Sequence, residues 1–127
     1  MSSGYENFEG LGVWQKARRL KTEVFKLVKK FPPEEKYRLV DQLIRSSRSV
    51  NAQLSEGHGK RTIPDKLNYC LQARGSLSET LNHLIDAYDC EYITNDELSY
   101  YRTLVTNVRS ALNGYIAWLE AQAGNKK

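Results

Sequence analysis

Four stretches of this sequence repeat apolar residues at the spacing of an α-helix, and short turns separate them. The clearest is the stretch 38–61, where Arg38, Arg45 and Arg48 lie on one face. Another face of the same stretch carries apolar and small residues, namely Val40, Leu43, Ile44, Ser47, Val50, Asn51 and Leu54. We therefore expect one face to build a core and the other to offer charge to a partner.

The turn residues set the expected element bounds. Pro32-Pro33 ends the first helix, because the residue before a proline avoids the helical region, and Gly57 is the expected C-cap of the second. Thr62 and Thr94 begin capping-box patterns for the third and fourth. The chain is predicted to begin with a flexible lead-in at about residues 1–10 and to end with a flexible tail at 122–127. Between them, four helices are expected at about 11–31, 33–57, 63–90 and 95–121. Long helices joined by short turns favour an all-α, antiparallel up-down-up-down four-helix bundle.

The third stretch carries a cation within its apolar stripe. The stripe consists of Leu67, Cys70, Leu71, Leu77, Leu81, Leu84, Ile85 and Tyr88. Arg74 falls near its centre, and a buried cation needs a partner. We predict that Arg74 pairs with a carboxylate, either Glu56 or an acid on a neighbouring subunit.

Positive charge is concentrated in the first half of the chain. Residues 1–74 contain 15 Lys/Arg against 8 Asp/Glu, whereas residues 75–127 contain 4 against 7. This asymmetry allows a basic surface for phosphate groups on the first two helices and the turn after them. It is equally consistent with solvated helix faces that an acidic second half neutralises.

The sequence favours a cytoplasmic protein. It has no apolar run of membrane-spanning length, and its first residues lack the basic start and apolar run of a signal peptide. Cys70 and Cys90 fall in the same predicted helix, roughly 30 Å apart. That separation rules out a bridge between them, so both are expected to be free thiols.

No set of catalytic or metal-binding residues emerges from the pattern. The turn from Gly57 to Thr62 lacks the glycine spacing and the preceding strand of a phosphate-binding loop. Glu79 and His83 are four residues apart, which is typical of a surface contact, and this pair occurs only once. We therefore expect no enzymatic activity, no metal and no cofactor.

The cations of the first two helices are the candidate nucleic-acid contacts. They are Arg19, Lys26, Lys30, Arg38, Arg45, Arg48, Lys60 and Arg61. Because the sequence shows no recognition helix and no aromatic-lined groove, binding is expected to follow shape and charge rather than base identity. The alternative is that Asp41 and Arg45 form an ordinary ion pair and the other cations are solvated.

Short motifs follow one another over residues 8–120. They are Leu11-Gly12-Val13-Trp14-Gln15-Lys16-Ala17-Arg18, then Phe31-Pro32 with Glu35 and Tyr37, Leu39, Gln42-Leu43, Arg45, Ser49-Val50, Glu56-Gly57, Gly59, Leu71, Ala73, Gly75-Ser76-Leu77 and Glu79. In these motifs the chain resembles the four-helix-bundle proteins named for the intervening sequences of bacterial 23S ribosomal RNA genes.

The resemblance implies a homopentamer around a central channel with no known enzymatic activity. The chain is similar also to the accessory proteins of diversity-generating retroelements, which share the bundle and the pentameric form, bind nucleic acid and act with a reverse transcriptase. Positions expected to be structural or to lie at an interface are Trp14, Glu56, Gly57, Arg74, Gly75, Ser76 and Glu79.

One segment departs from the family pattern. The family usually reads Ser-Val-Pro-Ala-Asn-Ile-Ala-Glu-Gly, whereas this chain reads Ser-Val-Asn-Ala-Gln-Leu-Ser-Glu-Gly from Ser49 to Gly57. Asn51 restores the amide donor that a proline lacks, so we expect a straighter second helix. The change to Gln53 puts in doubt any contact the family makes there, and the departure favours a retroelement-like member.

Two functional hypotheses follow. The first is a non-catalytic, homopentameric adaptor that binds structured RNA or an RNA–protein complex through the basic faces of helices one and two. The second is a protein-interaction module whose partner is another protein, such as a polymerase, with no direct role in nucleic-acid binding.

Overall fold

Four α-helices account for most of residues 7–125, the part of the chain that this computed structural model describes. They are α1 (Gly12–Leu27), α2 (Leu39–His58), α3 (Ile63–Asp89) and α4 (Asn95–Asn125). The described part of the chain also contains three short 3-10 helices before and after α1, namely Phe8–Gly10, Val28–Lys30 and Pro33–Glu35. No strand occurs between residues 7 and 125, so the prediction of an all-α chain with four helices is confirmed.

Each helix packs against its neighbours in sequence, and α4 closes the bundle by packing against α1. Tyr101 of α4 donates a hydrogen bond to the Glu23 carbonyl oxygen of α1 at 2.8 Å. At the opposite end of α1, Asn51 of α2 reaches the Trp14 carbonyl oxygen at 3.1 Å. Both α2 and α4 therefore run antiparallel to α1, as expected for a bundle with short turns.

The core lies between all four helices and is filled mainly by leucine and valine. Its largest fully buried side chains are Leu20, Val24, Leu43, Val50, Leu54, Leu77, Leu84, Val105, Val108, Leu112 and Leu119. Along each helix these positions are three, four or seven residues apart, so they form one stripe on each helix.

Two apolar residues of α3 lie outside the core, contrary to the predicted stripe. Leu71 is 51% exposed and Tyr88 is 39% exposed. The buried positions of α3 are Cys70, Ala73, Leu77, Thr80, Leu84 and Ala87. Their strict alternation of three- and four-residue steps leaves Leu71 and Tyr88 beside the stripe rather than on it.

The second helix begins later than the predicted residue 33. Pro33 starts the 3-10 helix Pro33–Glu35, and Arg38 has the non-helical dihedral angles φ −121 and ψ −104. Glu35 then accepts a hydrogen bond from the Leu39 amide at 3.3 Å, which satisfies a free donor in the first turn of α2. From Leu39 onward α2 is unbroken through Asn51.

Gly57 does not cap α2, although the sequence predicted that it would. The helix continues to His58, and Gly59 is the C-cap. A Cβ atom on Gly57 would lie 2.6 Å from the Tyr69 Cβ of α3. Gly57 is therefore required by the close approach of two helices rather than by the end of one.

The predicted capping residues of α3 and α4 are confirmed. Thr62 accepts a hydrogen bond from the Asp65 amide at 3.2 Å. Thr94 and Glu97 bond reciprocally, each side chain accepting from the other residue's amide at 3.1 and 2.8 Å. The α4 helix runs to Asn125, past the predicted residue 121, and no described helix is long and apolar enough to cross a membrane.

Candidate nucleic-acid interface

The outer face of α1 carries paired aromatic rings and cations. Arg18 lies four residues after Trp14, and its guanidinium carbon is 5.7 Å from the centroid of the Trp14 ring. Lys29, in the 3-10 helix that follows α1 directly, lies four residues after Phe25, and its Nζ is 4.9 Å from the Phe25 ring centroid. Residues four apart are neighbours on one helix face, so helical spacing alone forms both pairs.

Arg48 connects this face of α1 to α2. Its guanidinium carbon lies 5.9 Å from the Phe25 ring centroid, so one ring faces cations from two helices. Arg48 also lines an open groove of about 590 Å³ between α2 and α3, together with Gln42, Arg45, Ser46, Ser49 and Glu79. We call the set Trp14, Arg18, Phe25, Lys29, Arg45 and Arg48 the α1–α2 surface.

Hydroxyl groups line the side of the groove where α2 meets α3. The Oγ atoms of Ser49 and Ser76 are 2.9 Å apart, and Thr80 Oγ1 donates to Ser46 Oγ at 2.9 Å. The hydroxyl groups of these side chains hydrogen-bond with one another. Because the side chains are short, the two helices can approach closely. The lining of the groove thus presents two arginines, two serine hydroxyls, one amide and one carboxylate, that of Glu79.

Four of the eight predicted nucleic-acid contacts form ion pairs. The pairs are Lys26–Glu23 at 3.4 Å, Lys30–Glu97, Arg45–Asp41 at 3.7 Å and Lys60–Glu56 at 3.9 Å. Every one of these cations keeps a substantial part of its side chain in solvent. Such exposed pairs contribute roughly 0–1 kcal/mol each, so a phosphate group can compete for the cation.

The other four predicted contacts, Arg19, Arg38, Arg48 and Arg61, have no carboxylate within 4.0 Å among residues 7–125. Arg19 donates to the Tyr100 hydroxyl of α4 at 3.5 Å, and this bond raises the pKa of Arg19. It therefore faces α4 rather than α2.

The eight predicted cations do not converge on one site. Arg38 and Arg61 flank opposite ends of α2, a helix about 30 Å long. Arg45 and Arg48 are the two of the eight that line a common groove. The candidate interface is therefore centred on this pair.

Sequence reasoning missed three members of the α1–α2 surface: Arg18, Phe25 and Lys29. A usable signal was present, because Trp14–Arg18 and Phe25–Lys29 are both aromatic–cation pairs at the i, i+4 spacing. The contact between Phe25 and Arg48 had no such signal, since it depends on how α1 packs against α2.

The predicted structural positions have several distinct roles. Trp14 receives the hydrogen bond from Asn51 and packs its ring edge-on against Phe8, with 5.1 Å between ring centroids. Ser76 bonds Ser49 across the α2–α3 contact. Gly75 is exposed, and a Cβ atom placed there would meet no atom within 4 Å.

The predicted pairing of Arg74 with Glu56 is wrong. Arg74 is exposed, and its Nη1 donates to the Asn113 side-chain oxygen of α4 at 3.2 Å. Glu56 instead pairs with Lys60. Position 74 follows the buried Ala73, so its side chain leaves the core on the side of α4. Pairing with an acid of a neighbouring subunit stays a prediction.

The titratable groups near the bundle ends do not form a reactive cluster. Burial raises the pKa of the Cys70 thiol to about 11, so this thiol is protonated at neutral pH. Burial and the nearby Lys66 cation lower the pKa of His58. Over residues 7–125, no group of three or more His, Cys, Asp or Glu side chains is placed to hold a metal ion. The α1–α2 surface is suited to binding by charge and stacking.

The chain is similar to a known protein family and to a solved structure. The model of a family described as 23S rRNA-intervening sequence protein matches residues 9–114. A crystal structure of a protein of unknown function from the S23 ribosomal protein family, from Bacteroides thetaiotaomicron, has the same fold with a TM-score of 0.73. The two chains are 20% identical, and the match covers 82% of this chain and 97% of the other. No curated protein matches the sequence.

Proposed function

We infer that the chain, which belongs to the family of 23S rRNA-intervening sequence proteins, binds structured RNA through the α1–α2 surface without transforming it. The proposal rests on the surroundings of the three cations Arg18, Lys29 and Arg48. Each lies over an aromatic ring, and none has a carboxylate within 4.0 Å among the described residues. Their charge is therefore available to a phosphate backbone.

The adjoining groove supports the same proposal. The ion pair of Arg45 with Asp41 is exposed at both side chains, so it is a weak competitor for a phosphate oxygen. The neighbouring Ser49 hydroxyl and the Gln42 amide add neutral hydrogen-bonding groups. Contacts of this kind fix the position of a backbone and carry no base identity.

The test is the salt dependence of RNA binding. We would measure the fluorescence anisotropy of a labelled RNA hairpin over a series of salt concentrations. Binding through several phosphates gives a steep fall in affinity, with a slope of roughly −0.7 to −0.9 per phosphate contact in the logarithmic plot. A flat salt response would contradict the proposal.

Two charge-reversed variants locate the binding surface. Arg45→Glu with Arg48→Glu changes the α1–α2 surface, and Arg102→Glu with Arg109→Glu changes the net charge equally on α4. The first variant is expected to lose both affinity and salt slope, while the second keeps them. Equal losses in both variants would show that total charge, rather than this surface, governs binding.

We also propose that copies of the chain assemble through the outer face of α3 and α4. Leu71 and Trp118 are 51% and 56% exposed. Gly75 and Gly114 are exposed mid-helix glycines, where an added Cβ atom would meet nothing within 4 Å. Each glycine costs about 0.5–1 kcal/mol of helix stability relative to alanine, and no contact among residues 7–125 requires a glycine there. A closely packed helix of a second copy would account for both.

A pentameric assembly would present five α1–α2 surfaces at once and could act as an adaptor between RNA and a protein such as a reverse transcriptase. Light scattering on a sizing column tests the assembly. A mass near five chains would support it, and a monomer would remove any site built across subunits.

The alternative function is a protein-interaction module. A groove of about 440 Å³ at one end of the bundle favours it, lined by Leu11, His58, Lys66, Tyr115, Trp118 and Leu119. Trp118 stacks on Tyr115 with 6.2 Å between ring centroids, which leaves a broad apolar surface in solvent. If Arg45→Glu with Arg48→Glu abolishes RNA retention and spares capture of a polymerase partner, the two functions are separate.

A further inference from the structure

The side chain of Phe25 is not part of the core that α1 builds. The buried residues of α1 are Val13, Ala17, Leu20, Val24 and Leu27. Phe25 follows Val24 and lies on the outer face, where 44% of its surface is exposed. The Phe25 ring is therefore accessible to a ligand from outside the bundle.

The surroundings of the ring indicate what it contacts. Lys29 Nζ lies 4.9 Å and the Arg48 guanidinium carbon 5.9 Å from the ring centroid. Both cations have long flexible stems, and neither is tied to a carboxylate among residues 7–125. A ligand with a flat aromatic part would stack on the ring, and negative charges beside that part would bind the two cations.

We propose that Phe25, Lys29 and Arg48 form a subsite for an unpaired RNA base, with the base stacked on the Phe25 ring and the two cations bound to the adjoining phosphates. The inference rests on the proposed RNA-binding function and adds the class of RNA. Within an A-form duplex both faces of each base are covered by neighbouring bases. Apart from the two end base pairs of a duplex, the ring can therefore be reached only by a base in a loop, a bulge or a single strand.

Stacking and charge make separable contributions at this subsite. Stacking on a protein ring tolerates any base, because every base has an aromatic face. A base that stacks on the ring takes the place of a cation over it, and the long side chains of Lys29 and Arg48 then bind phosphates of the same strand. Loss of the ring should thus affect unpaired RNA alone, whereas loss of Arg48 should affect all RNA.

The experiment compares two RNA probes and three variants by fluorescence anisotropy. The probes are a single-stranded oligonucleotide of about 12 nucleotides and a blunt duplex of the same length. Phe25→Leu removes the aromatic face and keeps an apolar side chain with good helix propensity. Phe25→Tyr keeps the ring and is the matched control, and Arg48→Gln removes one charge.

We expect Phe25→Leu to weaken binding of the single strand by about tenfold and to leave duplex binding within about twofold. Phe25→Tyr should bind like the wild type, and Arg48→Gln should weaken both probes. A 2-aminopurine placed in the single strand should be quenched on binding to the wild type and remain bright with Phe25→Leu.

Two results would overturn the subsite and leave RNA binding itself intact. One is wild-type affinity of Phe25→Leu for the single strand while Arg48→Gln binds both probes weakly. The other is an equal loss of affinity for both probes in Phe25→Leu, which would assign the effect to the position of the cations. Failure of the wild type to bind either probe would instead refute the proposed function, and the subsite with it.

Discussion

The side-chain amide of Asn51 donates a hydrogen bond to the main-chain carbonyl oxygen of Trp14, with 3.1 Å between Nδ2 and O. Asn51 is 5% exposed, and its own Oδ1 has no hydrogen-bond partner among the described residues. Burying an amide group whose oxygen has no hydrogen-bond partner lowers the stability of the fold. The bond from Nδ2 to the Trp14 carbonyl oxygen offsets part of this loss. It ties the middle of α2 to the first turn of α1.

Replacing Asn51 by alanine should therefore lower the free energy of unfolding, although it also removes the unsatisfied oxygen. We expect a net loss of about 1 kcal/mol, measured by urea unfolding followed by circular dichroism. Asn82→Ala, at an exposed position of α3, is the control and should stay within about 0.5 kcal/mol of the wild type. Greater stability of Asn51→Ala would show that the unpartnered Oδ1 outweighs the bond.

Gly57→Ala and Gly75→Ala should change stability in opposite directions. A Cβ atom at residue 57 would lie 2.6 Å from the Tyr69 Cβ, which is close to the backbone and cannot move away cheaply. We expect a loss of about 1–3 kcal/mol from the resulting displacement of α2 from α3. Within a single chain the space at residue 75 is open, so in the dissociated protein alanine should gain about 0.5–1 kcal/mol from helix propensity. Thermal unfolding of the two variants in parallel checks the contrast.

Leu71→Ser tests the proposed assembly face. If this side chain is buried between copies, its loss should weaken association by about tenfold or more, as the burial of a leucine contributes roughly 1.5–3 kcal/mol. Light scattering over a dilution series gives the mass at each concentration. Gln72→Ser, at the adjacent exposed position, is the matched control and should assemble like the wild type. An unchanged mass for Leu71→Ser would move the interface elsewhere.

The bond between Tyr92 and Glu35 makes stability depend on pH. The Tyr92 hydroxyl donates to Glu35 Oε2 at 2.7 Å, and this bond and the Leu39 amide hold the pKa of Glu35 below its usual 4.5. A carboxyl group with a lowered pKa in the folded state stabilises the fold above 4.5, and the contribution disappears as pH falls through the folded value. The same bond raises the pKa of Tyr92 to about 12, so the donor is intact throughout this range.

Tyr92→Phe should therefore unfold at a lower temperature than the wild type at pH 7, and the difference should shrink as pH falls below about 4.5. The variant keeps the ring that packs against Phe31, with 5.4 Å between centroids in the wild type. A constant difference between the two proteins from pH 7 to pH 3 would show that the bond acts independently of the Glu35 charge.

Helical periodicity was sufficient to predict the bundle. The stripe of α2 and the capping residues Thr62 and Thr94 lie where the pattern places them, because helical spacing and capping depend on residues that are close in sequence. The start of α2 differs, since Glu35 bonds the Leu39 amide and Tyr92 from another element bonds Glu35. A contact with a residue that is distant in sequence leaves no local signal.

The candidate site likewise combines a contact between residues that are close in sequence with a contact between residues that are distant in sequence. Phe25 and Lys29 are neighbours by helical spacing and could have been identified from the sequence. Arg48 joins them only because α2 packs beside α1, and Arg74 bonds Asn113 only because α4 packs beside α3. Which of two neighbouring helices an outward side chain meets depends on the rotation of each helix in the bundle, and this rotation follows from packing of the whole core.

The close contact of α2 with α3 also favours a particular order in which the bundle forms. Only residues 59–62 connect these helices, so closing the loop between them costs little chain entropy. The contact between Tyr101 and the Glu23 carbonyl oxygen joins residues 78 positions apart. We expect the α2–α3 hairpin to be the folding nucleus and α4 to dock on α1 last. Substitutions at the Ser46–Thr80 pair should then slow refolding, whereas Tyr101→Phe should mainly accelerate unfolding.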